Sequence, residues 1–141
     1  MPIPRITPEI LAKSKSCENG WSLFELLDIS SSEAKSGKGV NTYFHFTALS
    51  GPGNSEDNVG REISYMVSGS GVEAGISDVV RVYTQLLCAL TDSTAEEIVN
   101  AEIDEQSLLG KRVWGEVGDR PYEGKMYKEF KTFAPDGAIP F

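Results

Sequence analysis

Tyr43, His45, Tyr65, Trp114, Tyr122 and Tyr127 are rings with cations close by in the chain. Lys35 and Lys38 precede Tyr43, and Arg61 precedes Tyr65. Lys111 and Arg112 sit beside Trp114, and Lys125 and Lys128 flank Tyr127. Rings stack unpaired bases at about 1–3 kcal/mol per base, and cations follow the phosphates, so this interleaving suits a single nucleic-acid strand. Large rings more often fill a small core than touch a ligand. Arg112 and Trp114 form the strongest pair, because a strand puts both opposite Val113 and Val117.

Lys35-Ser36-Gly37-Lys38-Gly39 joins two cations to glycines that let a backbone approach a phosphate. The Walker spacing Gly-x-x-x-x-Gly-Lys-Ser/Thr does not occur, and a solvated loop has the same composition. The acids offer less. Asp92, Glu96, Glu97, Glu102, Asp104 and Glu105 fall on a helix and its flanking turns. A metal-dependent nuclease wants acids on strands converging at one point. His45 is the single histidine, and Cys17 and Cys88 form no CxxC pair. Hence no catalytic residue, metal site, cofactor or disulfide scaffold is expected. The end, Ala134-Pro135-Asp136-Gly137-Ala138-Ile139-Pro140-Phe141, reads as an extended tail. Asp136, Ile139, Pro140 and Phe141, with the chain's own carboxylate, suit capture by a pocket with a basic rim.

These residues need a scaffold, and 141 residues of 15.3 kDa, 40% hydrophobic, make one domain with a real core. No apolar run approaches the roughly 20 residues of a membrane span, and residues 1–5 lack a signal-peptide core. A cytoplasmic protein without a membrane partner is expected. A short helix is expected around Pro8–Lys13, and a strand over Trp21–Ile29 with Trp21, Leu23, Leu27 and Ile29 on one face. Ser30–Gly39 reads as a polar loop. Val40–Leu49 is the clearest strand, with Val40, Thr42, Phe44, Phe46 and Ala48 on one face. Arg61–Ser68 is a third strand, with Ile63, Tyr65 and Val67 alternating against Glu62, Ser64 and Met66. A helix capped by Ser77 or Asp78 follows, with Ile76, Val79, Val80, Tyr83, Leu86, Leu87 and Leu90 in one stripe. Ser93–Glu97 resembles a capping box opening a short acidic helix. Strands Lys111–Val117 and Lys125–Phe133, joined by a turn-rich link over 118–124, complete the order. Five strands with a helix between the third and fourth predict a mainly β, five-stranded OB-fold-like barrel with one central helix. A small α+β sheet domain gives a similar string.

Net charge is −8, which alone argues against phosphate binding. Its distribution alters that. Removing the six acids of 92–105 leaves 13 bases against 15 acids, and Gly110–Phe133 carries six bases against four acids, or +2. A locally basic surface is therefore compatible with an acidic chain.

Ile139-Pro140-Phe141 resembles the tip of bacterial single-stranded DNA-binding proteins, which end in several aspartates followed by Ile-Pro-Phe; here Asp136 stands alone. Over residues 20–133 the order of motifs is similar to phage-encoded OB-fold single-stranded DNA-binding proteins. It comprises a tryptophan-led strand, Ser36-Gly37-Lys38-Gly39, Gly60-Arg61-Glu62-Ile63, Leu86–Leu90, Leu109-Gly110-Lys111 and Tyr122-Glu123-Gly124-Lys125. Composition sets an arm over 1–20 and a tail over 134–141, and the resemblance implies an OB-fold-like domain over 21–133 between them. It implies a non-enzymatic coat for single-stranded DNA in phage replication or recombination, working in the bacterial host cytoplasm. Replication or recombination proteins would be recruited through the tip, and a homo-oligomer is left open. The alternative is a protein-interaction or virion structural domain that does not bind nucleic acid.

Overall fold

The computed structural model describes residues 3–35, 37, 39–52 and 56–138, leaving aside the side chains of 12–14. Among the described residues the elements run α1 (Pro8–Ser14), β1 (Gly20–Glu33), β2 (Val40–Ala48), β3 (Glu62–Ser68), α2 (Gly69–Glu73), α3 (Ser77–Thr91), α4 (Ala95–Ile98), α5 (Glu105–Leu108), β4 (Arg112–Tyr122) and β5 (Lys125–Pro135). The five strands form one antiparallel sheet in the order β3-β2-β1-β4-β5. β1 changes partner along its length: Gly20–Glu25 pairs with β4, and Phe24–Glu33 pairs with β2. This handover curls the sheet until β3 and β5 touch, yet among the described residues no ladder joins them. The fold is thus mainly β and barrel-like, with its seam open. In that respect the small α+β sheet description fits as well. α3 is the expected long helix between the third and fourth strands; α2 and α5 are short additions that the apolar periodicity did not mark.

Aromatic packing fills the curl. Phe130 lies 5.0 Å from Phe24, 5.3 Å from Phe46 and 4.6 Å from Phe133, centroid to centroid. Leu86, Ala89 and Leu90 of α3 are buried with them. Gly115 is required here: a Cβ on it would meet Phe130 Cε1 at 2.5 Å. β2 and β3 alternate as expected, with Phe44, Phe46, Ala48 and Val67 buried and Ile63 and Tyr65 packed on the core.

β1 departs from its expected alternation. Ser22, Phe24 and Leu26 point inward and Leu27 is exposed, so Trp21, Leu23 and Leu27 are not the inner face. An irregularity between Leu26 and Asp28 then shifts the parity and returns Ile29 to the core. The strand also runs on through Ser30–Glu33, read above as loop. Those serines pair with Tyr43, Thr42 and Asn41, a backbone ladder that needs no apolar side chains.

Neither Ser77 nor Asp78 caps α3. Ile76 holds that position without a side-chain bond, and both residues lie inside the helix. The capping box is formed by Thr94 and Glu97, as expected. The link over 118–124 is mostly strand: β4 runs through Tyr122, and Glu123 (φ 49°) and Gly124 (φ 77°) make a two-residue turn with both centres left-handed. Pro121 is tolerated because beyond Val117 the ladder of β4 is with β5, leaving its other edge without need of an N–H donor. β5 likewise continues to Pro135, two residues into the expected tail.

The arm's last residues join the barrel. Buried Asn58 accepts the Glu18 N–H at 2.9 Å and donates to Ser22 Oγ and the Ser50 carbonyl, each at 3.2 Å. Arg61 donates to the Ser16 carbonyl at 3.0 Å and faces Glu18 at 3.9 Å.

Candidate nucleic-acid interface

On the outer face of β1, β2 and β3, cross-strand register sets three rows: Asp28–His45–Ser64, Ser30–Tyr43–Met66 and Ser32–Asn41–Ser68. Small serines border the two rings, which stack at 6.3 Å with planes 10° apart. Ser30 Oγ and Ser64 Oγ hold the His45 nitrogens Nε2 and Nδ1 at 2.9 and 2.7 Å. The two hydroxyls fix the plane of the imidazole beside Tyr43.

The β4–β5 hairpin supplies a second ring set. The pairs Tyr122↔Lys125, Arg120↔Tyr127 and Gly118↔Glu129 put Arg120, Tyr122, Lys125, Tyr127 and Glu129 on one face. Tyr122 and Tyr127 meet edge-to-face at 6.4 Å, and the Arg120 guanidinium lies 5.9 Å from the Tyr122 centroid. These tyrosines are 55% and 48% exposed, an unusual fraction for such large rings. A cleft of about 470 Å³ separates the hairpin from β3, lined by Ser64, Met66, Arg120, Tyr122, Tyr127 and Glu129 among others. Met66 also borders the cleft that holds Lys35, Asn41 and Tyr43. Met66 is thus the residue that the two clefts share, with Tyr43 in one and Tyr122 and Tyr127 in the other.

Lys35, Tyr43, His45, Tyr122, Lys125 and Tyr127 are thereby brought together, and Lys128 lines the same cleft. Tyr65 also borders that cleft, but its ring turns inward between Phe44 and Phe133, at 6.2 and 5.3 Å, and burial holds its phenol well above the usual range. Other expected residues lie apart. Arg61 is spent on the arm. Lys111, Arg112 and Trp114 lie at the far end of β4, the last eight residues from Tyr122, or about 26 Å along a strand. The Trp114 indole N–H donates to the Asp136 carbonyl at 3.2 Å, so the tail's first turn crosses it. Lys111 and Arg112 border a separate cleft with Asp92 and Asp136. The pair favoured from sequence is thus outside the track, because β4 is longer than its apolar pattern implied. Lys38, Ile139, Pro140 and Phe141 lie outside the described residues.

Met66 and Arg120 were missed. Arg120 alternates with Tyr122 once 118–122 is read as strand, and the signal for that was the Glu123-Gly124 turn. Met66 carried no signal beyond facing the same side as Ser64.

The track's cations are largely paired. Lys128 Nζ donates to Asp119 at 2.7 Å and to Asn19 Oδ1 at 2.8 Å, and the Lys128 bond, with a second from the Asn19 amide to Asp119 at 3.0 Å, holds the Asp119 carboxyl below its ordinary range. Glu129 faces Lys131 at 2.6 Å and Arg120 at 3.9 Å. Lys35 and Lys125 make no ion pair among the described residues. Also among the described residues, no three His, Cys, Asp or Glu side chains converge as metal ligands, and no helix is long and apolar enough to cross a membrane. No known protein-family profile and no curated protein matches this chain.

Proposed function

We propose that this chain binds single-stranded DNA without catalysis, stacking bases on Tyr43, His45, Tyr122 and Tyr127 while Lys35, Arg120 and Lys125 follow the phosphates. The observation that carries this reading is the pair of neighbouring clefts that share Met66, one lined by Tyr43 and Lys35 and the other by Tyr122, Tyr127 and Arg120. Stacking is tolerant of base identity, so binding is weakly sequence-dependent and salt-sensitive. The resemblance to phage single-stranded DNA-binding proteins supports a role in replication or recombination, with partners taken up at the C-terminal tip.

The pairing of three hairpin cations with carboxylates and the net charge of −8 favour a second reading, a protein-interaction or virion domain. Fluorescence anisotropy with labelled oligo-dT at low and high salt separates them. Binding that weakens as salt rises supports the DNA reading. No binding at low salt, with an oligomer in sedimentation, supports the second.

A further inference from the structure

Glu129 sits where the proposed track needs positive charge. Its Oε1 is 2.6 Å from Lys131 Nζ and its Oε2 is 3.9 Å from Arg120 Nε, so one carboxylate bridges two cations. Arg120 and Glu129 border both clefts along the β3–β5 seam, one holding Tyr122 and Tyr127 and the other Arg81 and Lys131. The carboxylate and a phosphodiester share one negative charge spread over two oxygens, and both suit the same N–H donors. All three side chains are about a third or more exposed, so the pairing is weak and water-screened.

Resting on the single-strand reading above, we infer that Glu129 stands in for a strand phosphate and competes with it for Arg120 and Lys131. A strand entering the seam takes the two cations and leaves the displaced carboxylate repelling it. Glu129 is then the residue that holds affinity down, a limit suited to a coat that must be removed. Asp119 differs: with Lys128 and Asn19 it ties the hairpin to the start of β1 and belongs to the framework.

The test compares Glu129→Gln with Glu116→Gln, which removes the same charge elsewhere on the β4–β5 pair. Oligo-dT affinity and thermal midpoint are measured for both and for the unmodified chain. E129Q is expected to bind about tenfold tighter at low salt, the effect of one unit charge a few ångströms away near a protein surface. Its plot of log K against log salt steepens by about 0.7, one more phosphate contact. E116Q gains less, within about threefold of the unmodified chain, since Glu116 forms no ion pair among the described residues and so competes with a phosphate for no cation. E129Q binding no tighter than E116Q, with both midpoints preserved, overturns the inference while the single-strand reading stands. Should neither the unmodified chain nor E129Q bind oligo-dT, pyrophosphate decides. A midpoint raised by pyrophosphate in E129Q alone retains the anion site and sinks the DNA reading; no effect sinks both.

Discussion

On the proposed interface Tyr43 and Tyr127 stand at opposite ends, so each reports on its own part of the track. Tyr43→Ala and Tyr127→Ala are each expected to weaken oligo-dT binding by about 1–3 kcal/mol in anisotropy titrations. Trp114→Ala leaves affinity within about twofold, because its indole is engaged by the tail at the far end of β4. Equal losses for all three would put the strand elsewhere. Cys17 makes a prediction of a different kind. Burial pushes its thiol from 9.0 up to about 11, against a smaller opposing pull from Arg61. The folded state thus prefers the neutral thiol, so its contribution to stability is complete below pH 9 and disappears between 9 and about 11. Denaturant midpoints should fall over that window, and Cys17→Ser should flatten the fall. At pH 8, iodoacetamide is expected to modify Cys17 only in denaturant.

At the scale of elements, the β4–β5 hairpin decides how the site is built. Arg120 and Tyr127 are a hydrogen-bonded pair two steps from the native turn pair Tyr122↔Lys125, so Pro121–Met126 can be replaced by an Asn-Gly turn that joins them, with Tyr127→Ala added. This shortened chain is expected to keep its circular dichroism and lose oligo-dT binding; retained affinity would show that the hairpin is not an interface. Gly115→Ala is expected to destabilise the fold by about 1–3 kcal/mol by overpacking Phe130. Thermal unfolding measures that. The same strands explain what could be read from sequence. β2 announced itself because Phe44, Phe46 and Ala48 alternate with polar residues over a regular stretch. β1 did not, because a parity shift after Leu26 mixes its two faces, and its serine half is a strand only through pairing with β2. β4 looked short because past Val117 its residues leave the core, and polar, proline-bearing sequence there resembles a loop. For the same reason Arg120, which alternates with Tyr122 only once that stretch is a strand, carries no signal in the apolar pattern.

For the whole molecule the question is how a chain of net charge −8 could hold a polyanion. The six acids of 92–105 belong to α4, α5 and their flanking turns, while the track runs over β2, β3 and the hairpin. On the proposed reading, repulsion from that segment is screened over about 8 Å at physiological ionic strength, so the charges lining the clefts would weigh more than the net charge. The open seam between β3 and β5 matters equally, since a fully laddered barrel would have no cleft there. Photocrosslinking with a bromo-deoxyuridine oligonucleotide, read by mass spectrometry, tests this arrangement most directly. Adducts at Tyr43 or His45 together with Tyr122 or Tyr127 are expected. Adducts confined to Trp114 and its neighbours, or none at saturating oligonucleotide, would contradict it.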